Sequence, residues 1–457
     1  MSVLPVTVVR RQLGDAVSRL LYGFADPVLR SGRRAALQSL LRTDFAPPET
    51  LHGQQERLLR DLLAHARASS PWYGERLRDA PAAADFRLDD LPRLPILERS
   101  ELQDHLDEIS GNGQLRPGVR VATSSGSSGT PVRLYHSREY RDWTAAAFDR
   151  GYLMCRSFRL GMRRAFFWGS EIDSRAHRGP GGTVRDIVLN QLWFDAFALR
   201  RDGLSDAVRR LRAFRPALIV GYVSTLAEVA RVLDQPIAGL DGVVAAAETL
   251  TPPERTLIET AFGAPVFDRY ATREVGTIAH ECEAHDGLHI VAENNLVEVV
   301  DTEGRPLEDP MAEGEVLVTN LRNFATPLIR YRLGDLARLG RPGCACGREG
   351  SRLASVVGRT SDLIVSPSGV LLHGLFFMRA FDKTPVQRFR VDQETPSRLR
   401  IRVVAAAGYT DEVRERVTAL ILGRGDPGFE VVWQVVDDIP LTASGKFRFT
   451  ASQVRRS

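Results

Sequence analysis

Of the 61 basic residues in this 457-residue chain only two are lysine, and one of them, Lys446, closes the run Pro440-Leu-Thr-Ala-Ser-Gly-Lys446. Lysine places a compact ammonium on a flexible stem, whereas arginine presents a planar fork. A lysine after a glycine, in a chain that uses arginine almost everywhere else, marks a task for a point charge. Far upstream lies Thr123-Ser124-Ser125-Gly126-Ser127-Ser128-Gly129-Thr130-Pro131. Glycines let backbone amides approach a polyanion, and the hydroxyls add donors. A Walker loop needs lysine directly after its second glycine, and here Thr130-Pro131 follows. A triphosphate held by this loop must take its missing charge from elsewhere, and Lys446 is the supplier. Read without Lys446, the same run is a flexible Ser/Gly connector.

Two further runs carry groups that suit a nucleotide: Tyr270-Ala-Thr-Arg-Glu274 and Tyr331-Arg-Leu-Gly-Asp335. A tyrosine can stack on a base, a carboxylate can hold magnesium, and an aspartate can accept the hydrogen bonds of a ribose diol. Each run alone also reads as a strand and a turn. Together with Gly358-Arg359-Thr-Ser-Asp362 and the lysine run, their order points to one site. A separate set, Cys282, His289, Cys344 and Cys346, offers three thiolates and an imidazole, the donor set of tetrahedral zinc. His280 and His285 are competing ligands, and Cys155, in an apolar helical context, reads as core.

The elements that must position these groups fall into three regions. To about residue 115 the chain is helical in pattern, with Leu58-Leu59 and Leu62-Leu63 at helical spacing and Pro92 and Pro95 punctuating the exit. From about 116 to 360, short apolar runs such as 217–221 and 242–246 read as buried strands, followed by helices over 224–233 and 252–262. Strands are expected at 288–292, 296–300 and 315–319. Beyond 361, a hairpin around 367–369, strands at 399–404 and 430–436 and a helix over 411–422 form an α+β domain. The expected architecture is α/β, with a large N-terminal domain over 1–360 and a small mobile domain over 361–457 that carries Lys446.

Hydrophobic residues make up 43% and charged residues 26% of the chain, a globular balance. A net charge of +4 from scattered arginines does not point to nucleic acid. Apolar runs stay below the roughly 18 residues needed to cross a bilayer, no signal-peptide pattern opens the chain, and four cysteines are too few for a disulfide framework. A cytoplasmic location is expected. The arginine-rich first 43 residues fit a helix packed on the main domain, or an amphipathic helix in weak peripheral contact with a membrane.

The ordered set of Ser/Thr/Gly loop, Tyr-x-x-x-Glu, Tyr-Arg-x-Gly-Asp, Gly-Arg-x-x-Asp and terminal Ser-Gly-Lys resembles the adenylate-forming superfamily of acyl-CoA synthetases and adenylation domains. Tyr270 to Gly276, the run Glu281-Cys282 to His289 and Pro71-Trp-Tyr73 are similar to its phenylacetate-CoA ligase-like branch. The resemblance implies that Ser124, Ser125, Gly126, Ser127, Ser128, Gly129 and Thr130 wrap the β- and γ-phosphates. It places Tyr270 against adenine, Glu274 on magnesium, Asp335 on the ribose, Arg359 near the nucleotide at the domain junction, and Glu248 among the ATP-binding residues. Lys446 would bridge the carboxylate and the α-phosphate, where a preorganised cation stabilises the transition state. The resemblance also implies a structural zinc and a small domain that closes for adenylation and then rotates. Ala271 and Arg273 depart from the usual Gly and Ser/Thr beside Glu274, and Arg133 stands near a position other branches fill with lysine.

Tyr135, Trp168, Phe194, Tyr222 and Ala246 are the candidate walls of the acyl pocket. The expected activity is ATP- and magnesium-dependent adenylation of a carboxylic acid, with transfer to coenzyme A. The alternatives are transfer to an amine, giving an amide, and a non-catalytic nucleotide- and zinc-binding scaffold.

Overall fold

A computed structural model describes residues 32–111, 117–123, 132–169, 186–196, 199, 201–309, 311–359, 364–369, 371–372, 376–377, 380–381, 384–440, 447–452 and 454. The phosphate loop 124–130, Lys446 and the first 31 residues lie outside them. The chain divides into two units, one of residues 1–333 and 337–356, the other of 334–336 and 357–457.

The larger unit begins with helices α1 (Arg33–Arg42) and α2 (Pro48–Ser69). Helix α2 starts on a proline at its first position, where no amide hydrogen is needed. It buries Leu51, Leu58, Leu59, Leu62, Leu63 and Ala66 along one stripe, the face that the leucine spacing predicts. Strands β1 (Arg120–Thr123) and β2 (Arg133–His136) form an antiparallel ribbon, and Ser137 caps α3 (Arg138–Leu153) by accepting from the Tyr140 amide.

Next come β3 (Arg164–Trp168), β4 (Gln191–Asp195), α4 (Arg201–Phe214), β5 (Leu218–Tyr222), α5 (Val223–Val232), β6 (Gly242–Ala246), α6 (Pro252–Phe262) and β7 (Val266–Thr272). The apolar runs expected at 217–221 and 242–246 are therefore strands, and both predicted helices follow them. Thr251 and Glu254 form a reciprocal capping box ahead of α6, and Gly263 ends it at φ +70°. Strands β8 (Gly276–Glu281), β9 (Leu288–Ile290), β10 (Asn295–Val300), β11 (Glu313–Asn320), β12 (Tyr331–Leu339) and β13 (Arg352–Arg359) complete the series.

All but the first two join one sheet of eleven strands, ordered β10-β11-β12-β13-β9-β8-β7-β6-β5-β3-β4. The half from β4 to β7 is parallel, and β7 with β8 begins an antiparallel half. Alternation along the parallel strands sends Phe167, Ile219 and Val243 into a core with α4, α5 and α6, and Phe166, Val220 and Val244 into a second core with Tyr152 of α3. Helix α2 packs on the antiparallel half through Leu59, Leu62, Ile278, Val316 and Val318.

The smaller unit holds the hairpin β14 (Ile364–Val365) and β15 (Leu371–Leu372), then β16 (Val386–Thr395), β17 (Arg398–Ala405), α7 (Asp411–Leu420), β18 (Glu430–Val435) and β19 (Thr450–Ser452). Its four-stranded sheet runs β18-β17-β16-β19 over a core of Phe377, Phe381, Phe389, Ile401 and Val417. The expected helix 411–422 ends its α-helical hydrogen bonding at Leu420 and continues as a wider turn over Ile421–Gly425.

Candidate functional site

The β7–β8 hairpin carries the first group of predicted residues. Tyr270 is buried on β7 beside a ladder irregularity between Tyr270 and Ala271, and Glu274 occupies the turn. Glu274 Oε1 accepts from Arg99 Nη1 at 3.2 Å, and its carbonyl accepts from the Tyr140 hydroxyl at 3.3 Å. Its Oε2 accepts no hydrogen bond among the described residues, so one carboxylate oxygen remains able to meet a hard cation. Sequence reasoning missed Arg99, because a partner 175 positions away leaves no local pattern.

At the C-terminal ends of the parallel strands, where open α/β sheets bind ligands, Trp168 of β3 stacks on Tyr222 of β5 with ring centroids 4.5 Å apart. The Tyr222 hydroxyl donates to the Gly169 carbonyl at 2.9 Å. Ala246 ends β6 in register with Tyr222 on one side and Arg269 on the other. The next residue, Ala247, has φ +68°, a conformation that costs energy in a residue with a Cβ. It turns the chain so that Glu248 accepts from the Ser224 amide at 2.7 Å and from the Ser224 hydroxyl at 3.0 Å. Glu248 thus caps the N-terminus of α5, a favourable place for a carboxylate.

Phe194 pairs in register with Phe167 and stacks on it at 4.6 Å, so strand alternation puts it on the sheet face opposite Trp168. The residue type was suitable, but its position parity was not. Tyr135 donates its hydroxyl to Asp107 at 3.1 Å, and burial leads the causes that raise its pKa. In the smaller unit, Asp335 is buried, and its Oδ1 lies 3.5 Å from Arg359 Nε.

Cys282, His289, Cys344 and Cys346 converge, with one ligand atom from each within 4.8 Å of the others. Cys282 Sγ is 3.7 Å from Cys344 Sγ, and Cys346 Sγ is 3.4 Å from His289 Nε2. Tetrahedral zinc, with bonds of about 2.3 Å to sulfur and 2.0 Å to nitrogen, sets those separations at about 3.8 and 3.5 Å. The donor set therefore fits that ion. Cys282 follows β8, His289 lies in β9 and the other two sit between β12 and β13, so adjacent strands bring them together. All four cysteines are free thiols, and Cys155 is fully buried.

Burial pushes the Cys282 thiol up to about 12. Burial acts in the same sense on Cys346, but hydrogen bonds led by Arg348 outweigh it and lower that thiol. His285 bonds Glu281 at 3.2 Å and stands apart from the cluster. His280 is buried against Gly151 with neither ring nitrogen hydrogen-bonded.

A second set of charges, announced by no local sequence pattern, reaches His289 and Cys346 of the cluster through Arg348, Arg150 and Asp44. Arg348 donates to Asp44 at 2.6 Å, Arg150 donates to Glu293 at 2.9 Å, and Glu293 accepts from Thr43 at 2.5 Å. Arg33 forks onto Asp149. Together these bonds fasten α1 and the residues after it to α3 and to the loop carrying Cys346.

The CapK C-terminal domain family matches residues 364–453. The phenylacetate-coenzyme A ligase of Thermus thermophilus is 28% identical over 340 residues, which is 70% of this chain and 72% of that protein. The protein CapK of Staphylococcus aureus is 20% identical over 414 residues, 88% of this chain and 89% of the relative. Among solved structures, 2-hydroxyisobutyryl-CoA ligase in its postadenylation state superposes with a TM-score of 0.72 at 19% identity, covering 90% of this chain and 91% of that one. That similarity establishes a shared fold. Among the described residues no helix is long and apolar enough to cross a membrane.

Proposed function

The chain belongs to the adenylate-forming superfamily, in its phenylacetate-CoA ligase-like branch, and from that premise we propose that it adenylates a carboxylic acid with ATP and passes the acyl group to coenzyme A. A carboxylate oxygen of the acid attacks the α-phosphorus. The bond from that phosphorus to the bridging oxygen breaks, and pyrophosphate leaves with the electron pair. A thiol then adds to the acyl carbon, AMP departs, and the thiol proton passes to solvent or to the leaving phosphate.

The observation that carries this reading is the placement of Tyr270 and Glu274 on one hairpin beside the strand ends that hold Trp168, Tyr222 and Ala246. Tyr270 offers a ring face to adenine, and Glu274 would hold magnesium through Oε2, where the cation offsets phosphate charge. Asp335, with Arg359 beside it, would take the ribose hydroxyls. The loop 124–130 would bind the β- and γ-phosphates, and Lys446, in a small domain over 361–457, would supply the cation between the two reacting anions. The Cys282, His289, Cys344 and Cys346 set would hold a structural zinc.

The test is carboxylate-dependent exchange of labelled pyrophosphate into ATP, with Lys446→Ala alongside, followed by supply of coenzyme A or of amines. Exchange lost in the variant and acyl-adenylate consumed by coenzyme A support the reading. Consumption by amines alone moves the acceptor to nitrogen, and nucleotide binding without exchange for any acid leaves a scaffold.

A further inference from the structure

We propose that the acid this protein activates carries a second anionic group, which seats on the Arg269 guanidinium at the inner end of the acyl site; this rests on the carboxylate-adenylating reading above. Arg269 immediately precedes Tyr270 on β7 and stands in register with Ala246 on β6 and with His280 on β8. Strand alternation points Tyr270 to one face and Arg269 to the other, the face shared by Trp168 and Tyr222. The guanidinium carbon lies 4.8 Å from the Phe148 ring centroid and 5.4 Å from that of Trp168, both half-buried side chains, with Arg269 beneath them at 5% exposure.

What singles out Arg269 is a missing counter-charge together with an unfilled donor. Arg150 pairs with Glu293, Arg164 with Asp149 and Arg330 with Glu298; Arg322, also buried and without an ion pair among the described residues, places its Nε hydrogen on the Glu293 carbonyl. Among the described residues Arg269 forms no ion pair. It donates one hydrogen bond, from Nη1 to the Tyr152 hydroxyl at 3.1 Å, and its Nε has no acceptor. Aromatic faces attract a cation but do not neutralise it, and a buried charge lacking an opposite charge is strongly unfavourable. His280, the cross-strand neighbour, is 2% exposed and also lacks hydrogen-bond partners on both nitrogens. Two adjacent buried side chains with unfilled hydrogen-bonding capacity, behind an aromatic wall at the strand ends, make a seat for an acceptor. An anion fills it best, because it supplies both the missing hydrogen bonds and the missing charge.

The reaction therefore selects at both ends of the acid. One carboxylate is presented for adenylation, and a second, set back by the depth of the Trp168 and Phe148 rings, is held by Arg269. A monocarboxylic acid of the same shape leaves the guanidinium desolvated and unpaired, and such sites reject the analogue that lacks the group.

The experiment measures pyrophosphate exchange with matched acids, phenylacetate against 4-carboxyphenylacetate and valerate against glutarate, in the wild-type chain, Arg269→Met and Arg269→Lys. The wild type is expected to favour the dianionic member of at least one pair by on the order of 100-fold in kcat/KM. Arg269→Met should reverse that order, and Arg269→Lys should retain part of it. A wild-type preference for the singly charged member of both pairs overturns the proposal while leaving the adenylation reading intact, as does an unchanged preference in a folded Arg269→Met. No exchange with any acid overturns the adenylation reading, and the proposal with it. If Arg269→Met does not fold, the wild-type preference and Arg269→Lys decide.

Discussion

Arg99 reaches across the larger unit to donate to the Oε1 of Glu274 at 3.2 Å, so the proposed magnesium carboxylate already has a cationic partner. Arg99 is part-exposed, so the screened interaction is worth about 1 kcal/mol. It holds the carboxylate in place and also opposes a second cation. Arg99→Gln should therefore lower the magnesium concentration giving half-maximal pyrophosphate exchange by about 5-fold, whereas Glu274→Gln should reduce exchange by about 100-fold or more at any magnesium concentration. A magnesium titration of the three proteins separates the effects. An unchanged midpoint in Arg99→Gln would show that the ion pair dissolves before the metal arrives.

The contrast between Arg99 and Glu274 shows what could be read from the chain and what could not. Glu274, Tyr270 and Asp335 sit in short runs where residue types and spacing describe a chemistry, and the strands 242–246 and 288–290 announce themselves as apolar runs with turns between them. The convergence of Cys282, His289, Cys344 and Cys346 was legible for a similar reason, because a Cys-x-Cys pair beside a Cys and a His makes up a metal-binding donor set. Arg99, Arg269 and the Asp44–Arg348 pair had no such signal. Arginine is the common basic residue of this chain, and what distinguishes these three is the partner that folding brings or withholds. Phe194 shows a different limit. An aromatic residue at a strand end suits a pocket wall, but the face it occupies depends on its position parity relative to Trp168, which residue type alone does not reveal.

Stoichiometric zinc is expected by elemental analysis of the purified protein, and Cys344→Ser/Cys346→Ser should abolish it. Because Arg348 bonds both Cys346 and Asp44, loss of the metal should also loosen residues 33–45. Limited proteolysis should then cut within that segment in the variant and in chelator-treated wild type. Metal-free protein that resists cleavage there would remove zinc from the account.

Gly151 of α3 faces His280 so closely that a Cβ built at that glycine would run into the imidazole ring. The ring is 2% exposed and lies directly against this turn of α3. Gly151→Ala should therefore destabilise the chain by about 1–3 kcal/mol, as overpacking does. Gly53 provides the control. It lies exposed within α2 with open space around its Cβ position, and Gly53→Ala should stabilise by about 0.5–1 kcal/mol. Denaturant midpoints that move in opposite directions are the expected result. Equal shifts would mean that helix propensity alone governs both sites.

The same buried imidazole makes stability depend on pH, and His136 adds to the effect. Burial, reinforced by Arg273 and Arg141, brings His136 down to about 4, and burial with Arg269 and Arg150 holds His280 well below its usual value of 6.5. Both groups are neutral in the folded chain, while the unfolded chain binds their protons once the pH drops below about 6.5. A group whose folded pKa is depressed loses its favourable contribution as pH falls, so each should lower stability by up to about 1.4 kcal/mol per pH unit below 6.5. The loss from His136 should level off near pH 4, while that from His280 continues to lower pH. Unfolding free energies measured from pH 7.5 to 5 should fall in the wild type, and the slope should be shallower in His136→Gln and in His280→Gln. The reduction should appear in the slope rather than as a uniform offset, because a lost packing contact weakens the fold equally at every pH. Parallel curves for all three proteins would mean that these imidazoles gain protons while the chain remains folded.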